Sequence, residues 1–286
     1  MITKMEVFSQ LHGAPALPLG DFDSLPPNDA PLQIRHIDGL GPVKADISSA
    51  PMALTRGVFF QGSSTGQRNI VLTLGLAPKF SEGQTLGTLR QQVYRYFMPE
   101  LGATLKFYSP DISDSSVHID GFVESVEPNI FSQDPEMQVS LLCPRPDFIS
   151  DEEILMGPFP ASDYDTEIEY VGSVSNGFNS VEIHNPYSYY TGQIEVSSVN
   201  GTFNQDLKIQ GAKIDPGRYV HFSTVPTRRR VQSISETTGV VTSIMGHVTK
   251  DSGWPELQPG TNIVKIMADS TGPEWTLSYF NRYGGL

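Results

Sequence analysis

The sequence has 286 residues, of which 32 are acidic and 19 are basic, so its formal net charge is −13. This charge disfavours a protein that grips DNA, because holding phosphates needs several lysines or arginines. Hydrophobic residues make up 38% of the chain and charged residues 18%, a balance that buries a core and excludes a disordered chain. Cys143 is the only cysteine, which excludes an intrachain disulfide and a multi-cysteine zinc site and fits folding in a reducing cytoplasm.

The length and the composition predict two β-rich domains. Glycine (26) and proline (22) punctuate short runs rich in Val, Ile, Phe, Tyr and Thr, as in strands joined by turns. At roughly 100–200 residues per domain we expect two domains, over residues 1–157 and 158–286. No stretch approaches the roughly 18 apolar residues of a membrane span, and Met1–Phe8 lacks the apolar region of a signal peptide, so we expect neither.

The first thirty residues are predicted to be irregular, as a Pro-rich arm over residues 1–31, because prolines interrupt a hydrogen-bonded ladder. Strands are predicted after them at Leu32–Ile37, Gly57–Gln61, Asn69–Leu76, Thr104–Tyr108, Val117–Val123 and Met137–Leu142. The segment Gly62–Gly66 is predicted to be the tip of a hairpin, because glycine and serine favour turns.

One helix is predicted from about Thr85 to Met98. Its apolar residues recur at helical spacing and form one stripe: Leu86, Leu89, Val93, Tyr96 and Phe97. Pro99 ends the helix, because proline lacks the amide hydrogen that a further turn would need.

After about residue 160 the pattern predicts a β-sandwich of about nine short strands with turn residues between them. The predicted strands include Glu167–Val171, Val181–His184, Gln193–Val196, Leu207–Ile209, Tyr219–Phe222, Val240–Ile244, Asn262–Ile266 and Trp275–Tyr279. Several of them alternate apolar and polar residues, so one face of each is expected to be buried.

One catalytic motif matches by pattern. Gly62-Ser-Ser-Thr-Gly66 fits G-x-S-x-G, in which an esterase serine, here Ser64, stands on a turn between a strand and a helix. A strand and not a helix is predicted to follow, so a turn is favoured over a nucleophile, although an esterase stays as a minor hypothesis.

No cofactor, metal or catalytic residue is expected. None of the six histidines has a spacing typical of a metal site. Alternation places four carboxylates on one strand face: Asp163, Asp165, Glu167 and Glu169. A cation site and a solvated outer face both remain open for this face, and the second is favoured.

Several segments together resemble one family, the distal tail proteins of siphophages. The N-terminal segments are Arg56-Gly-Val-Phe-Phe60, Arg68–Leu76, a helix carrying Leu89-Arg90, and Leu141–Phe148; the C-terminal ones are Tyr170–Phe178, Trp254–Ile263 and Trp275–Leu286. The most specific of them is the closing W-x-x-L-x-P-G-x-N-I of Trp254–Ile263, in which Pro259-Gly260 suits a type II turn.

This resemblance implies a mainly β fold, with an N-terminal split β-barrel that carries one helix and a C-terminal galectin-like sandwich. It further implies a structural protein of the virion, assembled in the host cytoplasm, whose six copies form a hub ring. The implied partners are the tail tube protein, a tail-tip or tail-associated hub protein, and receptor-binding proteins. DNA would pass through the lumen without sequence-specific binding. The Pro-rich arm has no counterpart in the family.

The residues that we expect to contact a neighbouring subunit are Phe59, Phe60, Gly62, Ser63, Ser64, Thr65 and Gly66. Phe59 and Phe60 point to opposite faces of their strand, so at least one of them is expected in the core. An alternative function is a carbohydrate-binding module of a phage adhesion device, with Tyr187, Tyr189 and Tyr190 stacking on sugar rings.

Overall fold

The computed structural model describes residues 2–9, 15–21, 30–52, 56–129, 134–161, 165–184, 193–268 and 273–286. The first half contains β1 (Lys4–Ser9), β2 (Leu17–Asp21), β3 (Leu32–Asp38), β4 (Ala45–Pro51), β5 (Val58–Thr65), β6 (Arg68–Leu76), helix α1 (Leu86–Tyr96), β7 (Gly102–Tyr108), β8 (Ser116–Asn129), β9 (Glu136–Cys143) and β10 (Phe148–Ser150). A short 3-10 helix covers Phe80–Glu82.

The second half contains β11 (Ile154–Pro160), β12 (Thr166–Tyr170), β13 (Asn176–Gly177), β14 (Ser180–His184), β15 (Gln193–Asn200), β16 (Phe203–Gln210), β17 (Arg218–Ser223), β18 (Arg230–Ser235), β19 (Val241–Ser243), a 3-10 helix (Met245–His247), β20 (Glu256–Leu257), β21 (Gly260–Ala268), β22 (Glu274–Tyr279) and β23 (Arg282–Tyr283). The predicted fold class, mainly β with one α-helix, is confirmed across the described residues. No described helix combines the length and the apolar character that crossing a membrane requires.

The chain divides into two compact units. The first comprises Met1–Asp151 and Tyr283–Leu286, and the second comprises Glu152–Arg282. The boundary predicted between residues 157 and 158, and the role predicted for each domain, stay predictions.

The first unit is built on one open sheet in the order β2-β1-β7-β8-β9-β6-β3, with β10 and β23 attached beside it. Alternate residues of each strand face a single core, which includes Ile70, Leu72 and Leu74 of β6 at 0% exposure. Each such side chain contributes about 1.5–3 kcal/mol when it leaves water.

Helix α1 closes this core, as its apolar stripe predicts. Leu89, Val93 and Tyr96 are buried. The hydroxyl of Thr85 accepts from the amide of Thr88 at 3.1 Å, and the hydroxyl of Thr88 accepts from the amide of Thr85 at 2.9 Å, which satisfies two amides of the first turn. The helix ends at Tyr96, before Pro99.

The predicted irregularity of the first thirty residues is wrong for two segments. Strands β1 and β2 pair with each other, and β1 also pairs with β7, so Met5 and Val7 lie in the core. β1 forms a strand because its apolar and polar residues alternate, although a Pro-rich stretch follows it. Pro18 is tolerated because β2 is the edge strand, where a missing amide hydrogen costs no ladder bond. Residues 10–14 and 22–29 of the predicted arm lie outside the described residues.

The second unit is a sandwich of two sheets, as predicted. One sheet has the order β11-β22-β14-β17-β18-β19 and the other β12-β21-β15-β16. Their inner residues share one core, with Phe222 and Trp275 from the first sheet and Val196 and Val264 from the second. Asp165, Glu167 and Glu169 are exposed while the residues between them are buried, which is a solvated outer face. Asp163 lies outside the described residues.

The closing motif forms the turn that its residues predict. Gly260 has a φ of +93°, which favours glycine. Asn262 is fully buried, and its side chain accepts from the Gln258 amide (2.9 Å) and donates to the carbonyls of Gln258 (2.7 Å) and Gly260 (2.8 Å). One asparagine therefore holds the turn before β21.

Candidate subunit-contact site

The residues predicted to contact a neighbouring subunit lie on a hairpin of strands β4 and β5, which pair only with each other among the described strands. Their antiparallel register runs from Ala45 opposite Thr65 to Pro51 opposite Val58. Isolated two-stranded hairpins are marginally stable in water. The β4–β5 hairpin is therefore a segment for which a partner surface would add stability.

The side chains of the hairpin sort onto two faces. Ile47, Ser49 and Pro51 share one face by strand alternation, and Phe60 lies opposite Ser49 while Val58 lies opposite Pro51. This apolar face therefore carries Ile47, Val58 and Phe60, whose exposures are 69%, 61% and 60%. Phe59 lies on the other face beside Ala50 and is 61% exposed.

The expectation that Phe59 or Phe60 lies in the core is wrong, because both side chains are exposed. The alternation reasoning assumed that the strand was covered on at least one face. Neither face of the hairpin contributes to the hydrophobic core of its unit. A sequence pattern cannot distinguish a strand that is covered by its own chain from one that a second molecule covers.

The prediction that Gly62–Gly66 is a hairpin tip is also wrong. β5 continues through Gly62, Ser63, Ser64 and Thr65, and β6 follows after Gly66 and Gln67. The reversal lies between Pro51 and Val58 instead, where Gly57 has a φ of +121°. The register shifts opposite Ser48 and Ser49, so Gln61 and Gly62 form a bulge, a position that glycine tolerates in a strand.

The surroundings of Ser64 are not those of a nucleophile elbow. Ser64 lies inside β5 opposite Asp46, it is exposed, and the next element is the strand β6. The elbow needs a helix after the serine, whose amino terminus helps to stabilise an oxyanion. The motif therefore matches by pattern alone.

Arg68 anchors the base of the hairpin, and sequence analysis gave it no role. It begins β6 and is only 2% exposed. Its guanidinium donates to four backbone carbonyls: Nη1 to Gly39 (2.5 Å) and Gly41 (2.6 Å), Nε to Pro146 (2.6 Å), and Nη2 to Gly284 (2.6 Å). Burial lowers the pKa of Arg68 from its ordinary value. One side chain thus joins the segment before β4, the β9–β10 turn and the last residues of the chain.

One signal in the sequence points to this anchor. Arg68 directly precedes a run of apolar strand residues, and Gly39 and Gly41 lie close before the hairpin. Gly39 has a φ of +90°, and a Cβ atom there would lie 2.0 Å from the carbonyl oxygen of Asn69. Such a close approach of two backbones needs glycine, but it depends on strand pairing that a linear pattern does not contain.

Cys143, the sole cysteine, lies at the end of β9 and is fully buried. Burial raises the pKa of its thiol to about 11, partly opposed by the charge of Arg68. The thiol is thus protonated at neutral pH and acts as a small apolar side chain. Among the described residues, no group of three or more His, Cys, Asp or Glu side chains is placed to hold a metal ion.

The aromatic residues of the alternative carbohydrate site, Tyr187, Tyr189 and Tyr190, lie outside the described residues.

In the residues that the structure describes, one open sheet with one α-helix is followed by a two-sheet sandwich, and this fold is similar to that of a solved phage Dit protein. The resemblance noted in the sequence is confirmed at the level of fold. The solved structure of the SPP1 Dit (gp 19.1) protein aligns with a TM-score of 0.63 and 12% identity, over 97% of this chain and 98% of that one. That protein is described as a paradigm of the hub adsorption apparatus in phages that infect Gram-positive bacteria.

Two structures of the phage P2 baseplate in its activated conformation also align, each at 8% identity. The one solved with calcium covers 97% of this chain and 98% of its own with a TM-score of 0.42, and the one solved with strontium covers 96% and 97% with a TM-score of 0.40. No family model and no curated protein matches the sequence.

Proposed function

We propose that this chain is a structural hub protein of a siphophage tail tip, of which six copies form a ring. The ring joins the tail tube protein to a tail-tip or tail-associated protein and carries receptor-binding proteins on its outside. DNA passes through its lumen towards the host. The chain works by binding other proteins and carries out no chemistry of its own.

The observation that carries this proposal is the β4–β5 hairpin, with its unburied apolar face, on a chain with the fold of SPP1 Dit. Apolar side chains that stay about 60% exposed on a two-stranded hairpin mark a protein contact. A contact between two different surfaces of identical chains is head-to-tail, and it produces a ring when the rotation closes. The hairpin supplies one of the two surfaces.

The charge of the main sheet supports passage of DNA. On the face of β8 and β9 that points away from the core, towards the Asn129 end of β8, lie Glu124 and Glu127 on β8 and Glu136 on β9. A carboxylate-rich face repels phosphates, so DNA slides past it without being held. We propose that this part of the face lines the lumen.

The test is the state of the purified full chain in solution, by size-exclusion chromatography with light scattering and by negative-stain microscopy. We expect rings of about 190 kDa, six copies of the 31.4 kDa chain, in equilibrium with monomers. A chain that stays monomeric up to 100 µM, with no rings in micrographs, contradicts the proposal.

A matched pair of variants separates the hairpin from apolar surface in general. Phe60→Glu is expected to weaken assembly at least tenfold, because a charge would be buried at the contact. Phe80→Glu serves as the control, since Phe80 is also exposed (75%) but lies on the 3-10 helix. If the two changes weaken assembly equally, the hairpin is not part of the subunit contact.

A further inference from the structure

The first unit carries a second unburied apolar surface. Phe122 on β8 points away from the core and is 51% exposed. It lies in a recess of about 340 Å³ lined by Asp120, Gly121, Phe122, Pro144, Arg145, Asp147 and Ile149. Phe122 thus forms an apolar floor in the recess, and charged side chains surround it.

The walls of this recess are fixed in position. One wall is the β9–β10 turn, which Arg68 holds through the carbonyl of Pro146. Beside Phe122, a Cβ atom on Gly121 would lie 2.9 Å from the sulfur of Cys143, so the backbone and the buried thiol are in close contact. A recess with such walls exists before any partner arrives, which lowers the entropic cost of binding.

We propose that the β4–β5 hairpin of one copy docks into this recess on the next copy, with Phe60 packing against Phe122. The inference rests on the proposed ring, since it names the two surfaces that join neighbouring subunits. The occupant is a second copy of this chain, so every subunit gives a hairpin on one side and receives one on the other.

Size and charge support this occupant. The volume of about 340 Å³ is at the small end of the range for ligand pockets, which suits an aromatic side chain and its neighbours. Arg56, exposed next to Gly57 before β5, is opposite in charge to the carboxylates of Asp120 and Asp147, which outnumber the one cation of the recess, Arg145.

The area is also consistent with a lasting contact. Phe60 offers roughly 150–250 Å² of surface. That is about a quarter of the roughly 800 Å² that each partner buries in a stable interface. The rest would come from Ile47, Val58 and the strand backbones of the hairpin.

Disulfide trapping tests the pairing directly. Phe60→Cys and Phe122→Cys are made on separate chains of different mass, mixed, assembled and oxidised. The buried thiol of Cys143 does not interfere, because its raised pKa keeps it protonated. We expect crosslinked pairs that contain one chain of each kind, and none when Phe60→Cys is mixed with Phe80→Cys, a control at a position that is more exposed than Phe122 (75% against 51%).

The outcomes separate this inference from the proposed function. Rings that form without the Phe60–Phe122 crosslink overturn the inference and leave the ring intact. Equal crosslinking to the Phe80 control also overturns it. Failure of the unmodified chain to form rings or any other oligomer overturns both.

A mixing experiment gives a second, independent readout. Phe60→Glu alone and Phe122→Glu alone are each expected to lose rings, with at least a tenfold weaker association. An equimolar mixture restores one junction per pair, between the intact hairpin of one variant and the intact recess of the other. We expect that mixture to form dimers but no rings, and a mixture that stays monomeric refutes the docking. Circular dichroism confirms that each variant is folded.

Discussion

Replacing Arg68 with methionine removes the donor that joins three separate segments of the first unit. Its four acceptor carbonyls lie 2.5–2.6 Å from the guanidinium nitrogens, and the side chain is 2% exposed. A buried carbonyl left without a donor costs about 1–3 kcal/mol. Burial of the methionine side chain offsets about 1.5–3 kcal/mol of that total. At about 1.5 kcal/mol for each of the four carbonyls and an offset of about 2 kcal/mol, we expect Arg68→Met to lower the free energy of unfolding by about 4 kcal/mol. That is a large part of the roughly 5–15 kcal/mol of a whole domain.

The variant Arg68→Lys is expected to lose less stability than Arg68→Met, but to remain less stable than the unmodified chain. Arg68 uses four of the five donors of its planar guanidinium, whereas an ammonium group offers three donors from a single nitrogen. Arg68→Lys should therefore cost roughly half as much as Arg68→Met. Arg95, exposed on α1, provides the control, because Arg95→Met should change stability by less than about 0.5 kcal/mol.

Calorimetry and tryptophan fluorescence together locate the effect. Both tryptophans, Trp254 and Trp275, lie in the second unit, so fluorescence reports the unfolding of that unit. The calorimetric transition that fluorescence does not follow is then the unfolding of the first unit. For Arg68→Met we expect the midpoint temperature of that transition to fall by roughly 8–16 °C. A loss below about 1 kcal/mol, or an equal shift in the fluorescence transition, would refute the anchoring argument.

Three further results are expected. Cys143 should resist a thiol reagent at pH 8 in the folded protein and react once it is unfolded, because burial raises its pKa to about 11; rapid labelling of the folded chain contradicts this. Burial, and then the charge of a nearby arginine, lowers the pKa of His221, so the unfolded state takes up its proton first as pH falls. Denaturation monitored by tryptophan fluorescence should therefore show that the free energy of unfolding falls below about pH 6.5, and that it falls less in His221→Gln. An equal dependence of this free energy on pH in both proteins would argue against the role of His221. Asn262→Ala should destabilise the second unit by about 2–4 kcal/mol, since the amide of Gln258 and two carbonyls lose their partner, and urea titration yielding less than 1 kcal/mol speaks against that role.

The sequence pattern predicted correctly those strands and helices whose apolar face packs against the core of the same chain. β6 appears as an apolar run and α1 as a stripe at helical spacing, and both bury the residues that the patterns select. The same holds for β12, whose alternation separates exposed carboxylates from the buried Ile168 and Tyr170. In these cases the core lies within the same chain, so periodicity is sufficient.

The candidate site was only partly predictable. The composition of Gly62–Gly66 resembles that of a turn, but tertiary pairing of β4 with β5 extends it into a strand. Phe59 and Phe60 match the pattern of core residues, and no local signal indicates that their chain leaves them uncovered. The recess around Phe122 and the four bonds of Arg68 join residues far apart in sequence, so they emerge only from the fold.

The second unit leaves and rejoins the first on neighbouring strands, since β10 pairs with β23. Glu152–Arg282 is therefore a cassette inserted into one loop of the first unit. Excision of the cassette and closure with a short turn would leave Gly284 and the bond it accepts from Arg68 in place. Such a layout permits the exchange of one second unit for another during evolution without rebuilding the first unit.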